Sequence, residues 1–205
     1  MRRSPLDAAL LKFPHVVSGR EQAALRLDDL SQQSRFGCKG PGAEQWLTAA
    51  GYRVPRDPNS AVLDLSGVLV ARLATSEFLI EAVDGGSERV DATLRQLAAP
   101  ARPANVYPVA RQDMVVGIQG PGIQTLLRQV CSVDFVPLFE SCGPAAGPVC
   151  LTSMVGVGVV AWPRRTESGS NLRVWLDPSF AHYFWTTLLE VGRGVGPLVI
   201  GSNTI

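Results

Sequence analysis

The sequence is poor in the residues that hold metal ions. Its 205 residues include two histidines and four cysteines, and the cysteines, at positions 38, 131, 142 and 150, form no Cys-x-x-Cys pair. Zinc and iron–sulfur sites need closely spaced cysteine and histidine ligands. The sequence therefore predicts no metal site and four free thiols, which is typical of proteins in a reducing cytoplasm.

The sequence also lacks an excess of either charge. It has 19 Lys and Arg against 18 Asp and Glu, a net charge of +1. Nucleic acids and anionic membranes select basic surfaces, so neither is an expected partner. No run of predominantly apolar residues is expected to span a membrane, and Asp7 and Lys12 interrupt any signal-like apolar region. We expect a cytoplasmic protein, long enough for one large or two small domains.

A nucleophile with its base is missing as well. Cys38 beside Lys39 is a candidate thiolate, because a lysine lowers a thiol pKa. Adjacent residues of a strand point to opposite faces, however, which favours a buried structural cysteine. His182 has neither an acid nor a nucleophile in a triad-like context. The acidic residues Asp134, Glu140 and Asp177 show no acid–base spacing, and Asp177 is better explained as a helix cap.

Residues that suggest a cofactor have simpler explanations. The run from Gly156 to Ala161 fits G-x-G-x-x-A, but Trp162-Pro163 follows it where a dinucleotide site needs a helix. Three tryptophans are candidates to line a cofactor cavity: Trp162, Trp175 and Trp185. Their predicted positions in strands and on the apolar stripe of a helix favour a place in the core instead. We therefore predict no catalytic, cofactor-binding or metal-binding residue.

What the sequence does contain is a repeated turn. Gly40-Pro41-Gly42 recurs as Gly120-Pro121-Gly122, with an apolar run before and a helical pattern after each copy. Glycine allows a tight entry, and proline suits the first position of a helix. We interpret the two copies as one supersecondary unit used twice, and two unrelated turns remain the alternative.

Around each copy the pattern is a strand, a Gly-Pro-Gly helix, two or three strands and a closing helix. This order predicts an α+β fold of two ferredoxin-like βαββα(β) modules, packed as a pseudo-symmetric pair. The linker at 100–104 divides the chain into residues 1–100, with an N-terminal extension, and 101–205. We further expect a short helix over 4–13, an irregular stretch over 132–148, one strand over 149–162, a last helix ending at Gly192 and a fraying tail after Gly196.

The chain resembles the gamma subunit of heterotetrameric sarcosine oxidase. The resemblance is carried by ordered motifs along nearly the whole chain: Arg3-Ser4-Pro5-Leu6, the run from Arg35 to Ala43, Glu77-Phe78-Leu79, Gly120-Pro121-Gly122 with Leu126-Leu127, Cys131-x-x-Asp134, and the run from Ser179 to Leu188. It implies a fold similar to the folate-binding aminomethyltransferase of glycine cleavage. It also implies an accessory, non-catalytic subunit. On that resemblance, Asp113 and Asp134 are candidates to face a pterin ring, and turn or surface roles are favoured for both.

The implied complex oxidises sarcosine to glycine with formation of hydrogen peroxide. Its one-carbon unit passes to tetrahydrofolate or leaves as formaldehyde. By resemblance, FAD, FMN, NAD and tetrahydrofolate belong to larger alpha and beta subunits, and zinc to a small delta subunit. An N-methylglutamate dehydrogenase-like complex, a free folate-dependent aminomethyl-transfer protein and a stand-alone interaction module remain alternatives. We expect the subunit to associate through apolar surface, with 132–148 as the candidate segment.

Overall fold

The computed structural model describes residues 4–6, 23–99 and 103–202, so most of the helix expected over 4–13 lies outside the described residues. The helices are α1 Ala43–Ala49, α2 Ser87–Ala98, α3 Ile123–Val130, α4 Val136–Ser141 and α5 Ala181–Val195. The strands are β1 Leu25–Asp29, β2 Arg35–Lys39, β3 Ser60–Leu63, β4 Val68–Ala74, β5 Glu77–Ala82, β6 Tyr107–Val109, β7 Met114–Gln119, β8 Ala146–Pro148, β9 Cys150–Met154, β10 Val157–Thr166, β11 Gly169–Leu176 and β12 Leu198–Ser202.

The chain forms two compact units, each built on its own sheet. The first unit comprises residues 33–111 and 145–149, and its strand order is β6-β2-β5-β4-β3-β8. The second unit comprises the described residues of 1–32, 112–144 and 150–205, in the order β12-β1-β7-β11-β10-β9. The mixed α+β class is thus confirmed, and the packing of the two units as a pseudo-symmetric pair stays a prediction.

Each sheet carries helices and a hydrophobic core on one face. In the first unit, Phe36, Cys38, Val70, Phe78 and Ile80 alternate along their strands toward that core. In the second unit the alternation continues in the same way on β7, β10 and β11. The core residues there are Met114, Val116, Ile118, Val159, Ala161, Leu172 and Val174.

The sequence predicted a boundary at residue 100, but the two units do not divide there. β1 precedes the first unit in the chain but pairs with β7, and β6 precedes the second unit but pairs with β2. Each sheet therefore includes a strand that precedes the main segment of the other unit in the chain. Alternation identifies a strand but not its partner, which is why the sequence placed this boundary wrongly.

Each unit also departs from a ferredoxin-like module. Three strands of the same sheet, β3 to β5 and β9 to β11, precede the closing helix of each unit. The extra strand reverses the chain direction once more. As a result, β2–β5 and β7–β11 are antiparallel where a ferredoxin-like module has a parallel pair.

The repeated turn has the same geometry in both units. Gly40 and Gly120 have φ of 121° and 119°, and the amide of Ala43 or Ile123 donates to their carbonyls at 3.0 and 3.1 Å. The helices begin at Ala43 and Ile123. Pro41 therefore lies in the turn, whereas the sequence predicted that it would be the first helical residue. The repetition itself is confirmed.

The structure corrects three further expectations. Residues 132–148 include α4 and β8, because Pro137 lies in the first turn of a short helix, where proline is tolerated, and this helix buries Phe139. The single strand expected over 149–162 is a hairpin, β9 and β10, turning at Val155-Gly156 with φ of 45° and 80°. The last helix continues through Gly192 to Val195, and β12 follows it in parallel pairing with β1.

Candidate functional site

A groove lies on the second unit beside β9, β10 and β11. Its volume is about 430 Å³, and the lining residues that matter most are Asp113, Leu151, Gly158, Val160, Trp175 and Asp177. Such a volume is within the range of small ligand sites, about 300–1,000 Å³. The groove can hold a few side chains or a small molecule.

Strand register assembles the apolar floor of the groove. Leu151 pairs with Val160, and Val160 pairs with Trp175, so the three form one row across β9, β10 and β11. Val157, Val159 and Ala161 point to the helix-covered core, and by alternation Gly158 and Val160 point to the other face. A Cβ added at Gly158 would have no atom within 4 Å, so the groove is open there.

Antiparallel pairing brings two carboxylates to the groove. Met114 begins β7 and pairs with Leu176, which ends β11. Asp113 and Asp177 directly adjoin this pair and therefore lie side by side in the fold. A hydrogen bond between the side chains of Ser179 and Asp177, helped by the Ser179 amide, lowers the pKa of Asp177. Asp177 is thus charged at neutral pH.

Exposed aromatic residues follow Asp177. Phe180 and Tyr183 are each about half exposed, and so is Leu151 in the groove. The Tyr183 hydroxyl donates to the carbonyl of Val155, at 3.0 Å, in the β9–β10 turn. Val155 is β-branched yet has a φ of 45°, a conformation that such residues rarely adopt. The turn is therefore held in a strained conformation beside the groove.

The structure explains Cys38 without catalysis. Its side chain is fully buried in the core of the first unit, while Lys39 is exposed. Burial raises the pKa of the Cys38 thiol to about 12. A thiolate at neutral pH would be needed for a nucleophile, so the structural interpretation of Cys38 agrees with its position.

Most other candidates lie apart from one another. Trp162, Trp175 and Trp185 are buried. Asp134 accepts the Val136 amide at the start of α4, and Asp177 accepts the Ser179 amide as the predicted cap. Glu140 and His182 are exposed on α4 and α5. Gly156 turns a hairpin and is followed by a strand, so the dinucleotide context is missing.

The groove brings together three of the candidate residues: Asp113, Trp175 and Asp177. The sequence analysis missed this because the two aspartates are far apart in the chain and only the β7–β11 pairing joins them. Within the described ranges, no three His, Cys, Asp or Glu side chains cluster as a metal site would require. No helix in those ranges is both long and apolar enough to cross a membrane.

The first unit has a groove of its own, of about 440 Å³, beside the β3–β4 turn. Asp64 organises this turn: its carboxylate accepts the amides of Ser66 and Val68 at 2.9 and 3.0 Å and an Arg89 guanidinium N–H at 3.1 Å. Arg89 in turn lies 4.1 Å from the ring centroid of Tyr52. Leu65, at the tip of the turn, is fully exposed.

Known proteins resemble this chain in sequence and in fold. No family model matches it. An aminomethyltransferase from Chlorobium luteolum is 23% identical over 193 residues, which cover 88% of this chain and 51% of that protein. The chain thus spans about half the length of this curated relative.

Two solved structures share the architecture. A chain of heterotetrameric sarcosine oxidase from Corynebacterium sp. U-96, in complex with pyrrole 2-carboxylate, matches with a TM-score of 0.68, 24% identity and coverage of 95% of this chain and 96% of that chain. This chain has the aminomethyltransferase-like fold. Aminomethyltransferase T of the glycine cleavage system from Bartonella henselae matches with a TM-score of 0.58 and 18% identity, over 87% of this chain and 48% of that chain. The aminomethyltransferase-like chain described here is therefore similar in length to the sarcosine oxidase chain and about half the length of the aminomethyltransferase.

Proposed function

We propose that this chain is an accessory, non-catalytic subunit of a sarcosine oxidase-like complex, in the role of its gamma subunit. The observation that carries the proposal is the reciprocal coverage of the sarcosine oxidase chain, 95% and 96%. The aminomethyltransferases, in contrast, are covered over only 51% and 48% of their own lengths. The two-way match to the sarcosine oxidase chain therefore supports the subunit role.

In the proposed complex the chemistry belongs to other subunits. The complex would oxidise the N-methyl group of sarcosine with oxygen and water, giving glycine, hydrogen peroxide and a one-carbon unit. The one-carbon unit would pass to tetrahydrofolate or leave as formaldehyde. FAD, FMN, NAD and tetrahydrofolate would lie in alpha and beta subunits and zinc in a delta subunit. In this chain, the burial of Cys38 supports a role without catalysis.

The proposed location is the cytoplasm. All four cysteines are free thiols, and two of them, Cys38 and Cys142, are buried. Free buried thiols agree with a reducing compartment, where disulfides are rare.

A complex that oxidises another N-methyl amine, such as an N-methylglutamate dehydrogenase, would use a similar subunit. A second candidate function is folate-dependent aminomethyl transfer by this chain alone. It is favoured by the sequence similarity to the Chlorobium luteolum aminomethyltransferase. Titration of the purified chain with tetrahydrofolate tests it: saturable binding at micromolar concentration would support this candidate over the accessory role.

Co-expression tests the accessory role. The flavoprotein subunits of the same organism are produced with and without this chain, and the flavin-containing complex is quantified by absorbance and by sarcosine-dependent peroxide formation. We expect a stable, active complex only when the chain is present. Equal yield and equal activity without it would contradict the proposal.

A further inference from the structure

We propose that the groove of the first unit is the docking site for a partner-subunit segment that presents a carboxylate next to an apolar side chain. The docking surface comprises Arg53, Leu63, Asp64, Leu65, Arg89 and Ala145, which line the groove. This inference rests on the proposed function, because the partner is taken to be a larger subunit of the same complex.

The β3–β4 turn presents an apolar side chain to solvent. Tight turns are usually built from Asp, Asn, Ser, Gly and Pro. Three residues of this turn follow the rule: the Ser66 amide donates to the Asp64 carboxylate at 2.9 Å, and the Gly67 amide donates to the Asp64 carbonyl at 3.1 Å. Leu65 is the exception, and it is fully exposed. It buries almost no apolar surface in the folded chain, so burial against a partner would be a net gain.

The turn is also held in place by the rest of its unit. The Gly67 carbonyl accepts the amide of Val83 at 2.8 Å. From α2, the Arg89 guanidinium donates to the Asp64 carboxylate at 3.1 Å and to the Ser66 hydroxyl at 3.3 Å. A surface fixed in this way loses less conformational entropy when a partner binds.

Charge selects the occupant. The charged side chains that line the groove are those of Arg53, Asp64 and Arg89. Asp64 and Arg89 form an ion pair at 3.1 Å, so their charges offset each other. Arg53 is exposed and has no hydrogen-bond, ion-pair or ring partner among the described residues. Its guanidinium is therefore available to a carboxylate, which it can bind through two parallel hydrogen bonds.

The two features together favour a polypeptide segment. A small anion would pair with Arg53 but leave Leu65 in water, whereas a segment with a carboxylate beside an apolar side chain contacts both. A second copy of this chain is disfavoured, because a two-fold interface through this groove would include two unpaired Arg53 guanidinium groups.

Competition for a limited amount of the flavoprotein subunits tests the inference. The wild-type chain and one variant are co-expressed with these subunits, and mass spectrometry compares the ratio of the two chains in the purified complex with their ratio in the extract. Leu65→Asp removes the apolar contact, and Arg53→Glu reverses the charge. We expect each variant to be incorporated at least about tenfold less than the wild type, as at interface centres.

Two controls make matched changes. Leu65→Met keeps an apolar side chain, and Arg56→Glu reverses the charge of an exposed arginine on the same loop that does not line the groove. Both should be incorporated like the wild type. Thermal unfolding of each purified variant separates folding from binding. If a charged variant is less stable, Leu65→Ser or Arg53→Gln decides in its place, because neither adds a charge.

The outcomes distinguish this inference from the proposed function. Wild-type incorporation of both Leu65→Asp and Arg53→Glu would overturn the inference while leaving the proposed function intact. A loss confined to Leu65→Asp would contradict the acidic occupant, and one confined to Arg53→Glu would contradict the apolar contact. Failure of the wild-type chain to associate with any flavoprotein subunit would instead contradict the proposed function.

Two measurements on the purified chain test other occupants. Acetate that stabilises the wild type but not Arg53→Glu against thermal unfolding would assign the groove to a small carboxylate. Self-association of the wild type that Leu65→Asp abolishes would assign it to a second copy. We expect neither result, and either one would overturn the docking of a partner segment.

Discussion

At the scale of single residues, burial decides which titratable groups are available for chemistry. Cys38 has Lys39 as its neighbour in sequence, yet its side chain lies in the core with Phe36, Phe78 and Val70. Burial there raises its pKa to about 12, and no positive charge offsets this effect. A lysine next to a cysteine in the sequence therefore does not lower the pKa of the thiol when the strand turns the two side chains to opposite faces.

This account predicts the reactivity of the thiols. Because a pKa near 12 makes the thiolate fraction of Cys38 roughly a thousand-fold smaller than that of an ordinary cysteine at pH 8, Cys38 should resist alkylation in the folded protein. Cys131 and Cys150 are partly exposed and serve as the internal comparison. Mass-spectrometric mapping after timed alkylation measures each site. Labelling of Cys38 at the rate found in the unfolded chain would contradict the buried position.

Asp64 predicts a pH dependence in the acidic range. Burial alone would raise its pKa, but hydrogen bonds from Ser66 and Val68 and the charge of Arg89 together hold it below the ordinary value. A lowered folded-state pKa stabilises the protein above the unfolded pKa, about 3.9 for Asp, and this stabilisation is lost as the pH falls toward the folded pKa.

Unfolding by urea at several pH values measures this effect. Asp64→Asn should be less stable than wild type at pH 5 to 7, and the difference should shrink below about pH 4, where the wild-type carboxylate becomes protonated. Asp57→Asn, at an exposed position on the loop before β3, is the control. A difference between Asp64→Asn and wild type that stays constant down to pH 2 would exclude the lowered pKa.

At the scale of elements, much of the fold was predictable and the exceptions have physical causes. The Gly-Pro-Gly turns located the helices α1 and α3, and the apolar stripe located α5. The hairpin of β9 and β10 was missed because its turn contains Val155 at positive φ, without the Asn-Gly or Asp-Gly signal of such turns. The helix α4 was missed because it has only six residues in a stretch rich in Pro and Gly.

The groove was not predictable from the sequence for a different reason. Asp113 and Asp177 were recognised individually, as a turn residue and as a helix cap. Their proximity depends on the pairing of Met114 with Leu176, and a single sequence does not specify which strands pair. The apolar row of Leu151, Val160 and Trp175 depends on register in the same way.

The repeated turns predict matching sensitivities in the two units. A Cβ at Gly40 would lie 2.3 Å from the Asn105 carbonyl oxygen, and one at Gly120 would lie 2.5 Å from that of Ala24. These contacts are with backbone atoms, and both glycines have φ near 120°. Gly40→Ala and Gly120→Ala should each lower the free energy of unfolding by roughly 2–4 kcal/mol, as for strained and overpacked sites.

Gly156→Ala is the matched control for the conformation alone. Its φ is 80°, but a Cβ there has open space around it. The strain of a left-handed residue costs about 1–2 kcal/mol, so its effect should be smaller than that of the two turn glycines. Urea unfolding of the three variants gives the comparison. Equal losses at all three positions would show that the close backbone approach has no effect.

At the scale of the whole molecule, the chain consists of two similar units, each with a strand that precedes the main segment of the other unit. Asn105 shortly precedes β6, and its carbonyl accepts the amide of Gly42. Ala24 precedes β1 and accepts the amide of Gly122 in the same way. The residue before each of these strands thus completes the Gly-Pro-Gly turn of the same unit. We expect neither contiguous half of the chain, residues 1–100 or 101–205, to form a complete sheet when expressed alone.

The proposed accessory role also predicts a weak dependence of assembly on salt. The chain as a whole is nearly neutral, and residues 150–163 carry no charged side chain. Salt screens exposed charge pairs but leaves apolar contacts intact. The complex should therefore stay assembled at about 0.5 M salt, with only modest weakening. Gel filtration at low and high salt measures this, and full dissociation at about 0.5 M would contradict the apolar interface.

The most direct test of the proposed accessory role is the native mass of this chain in extracts of its own organism. The chain alone has a mass of 21.9 kDa. Affinity purification of a tagged copy, followed by native mass spectrometry and absorbance measurement, should recover it in a much larger, yellow species with flavoprotein subunits. Recovery of a colourless species of 21.9 kDa with no partner would contradict the role proposed here.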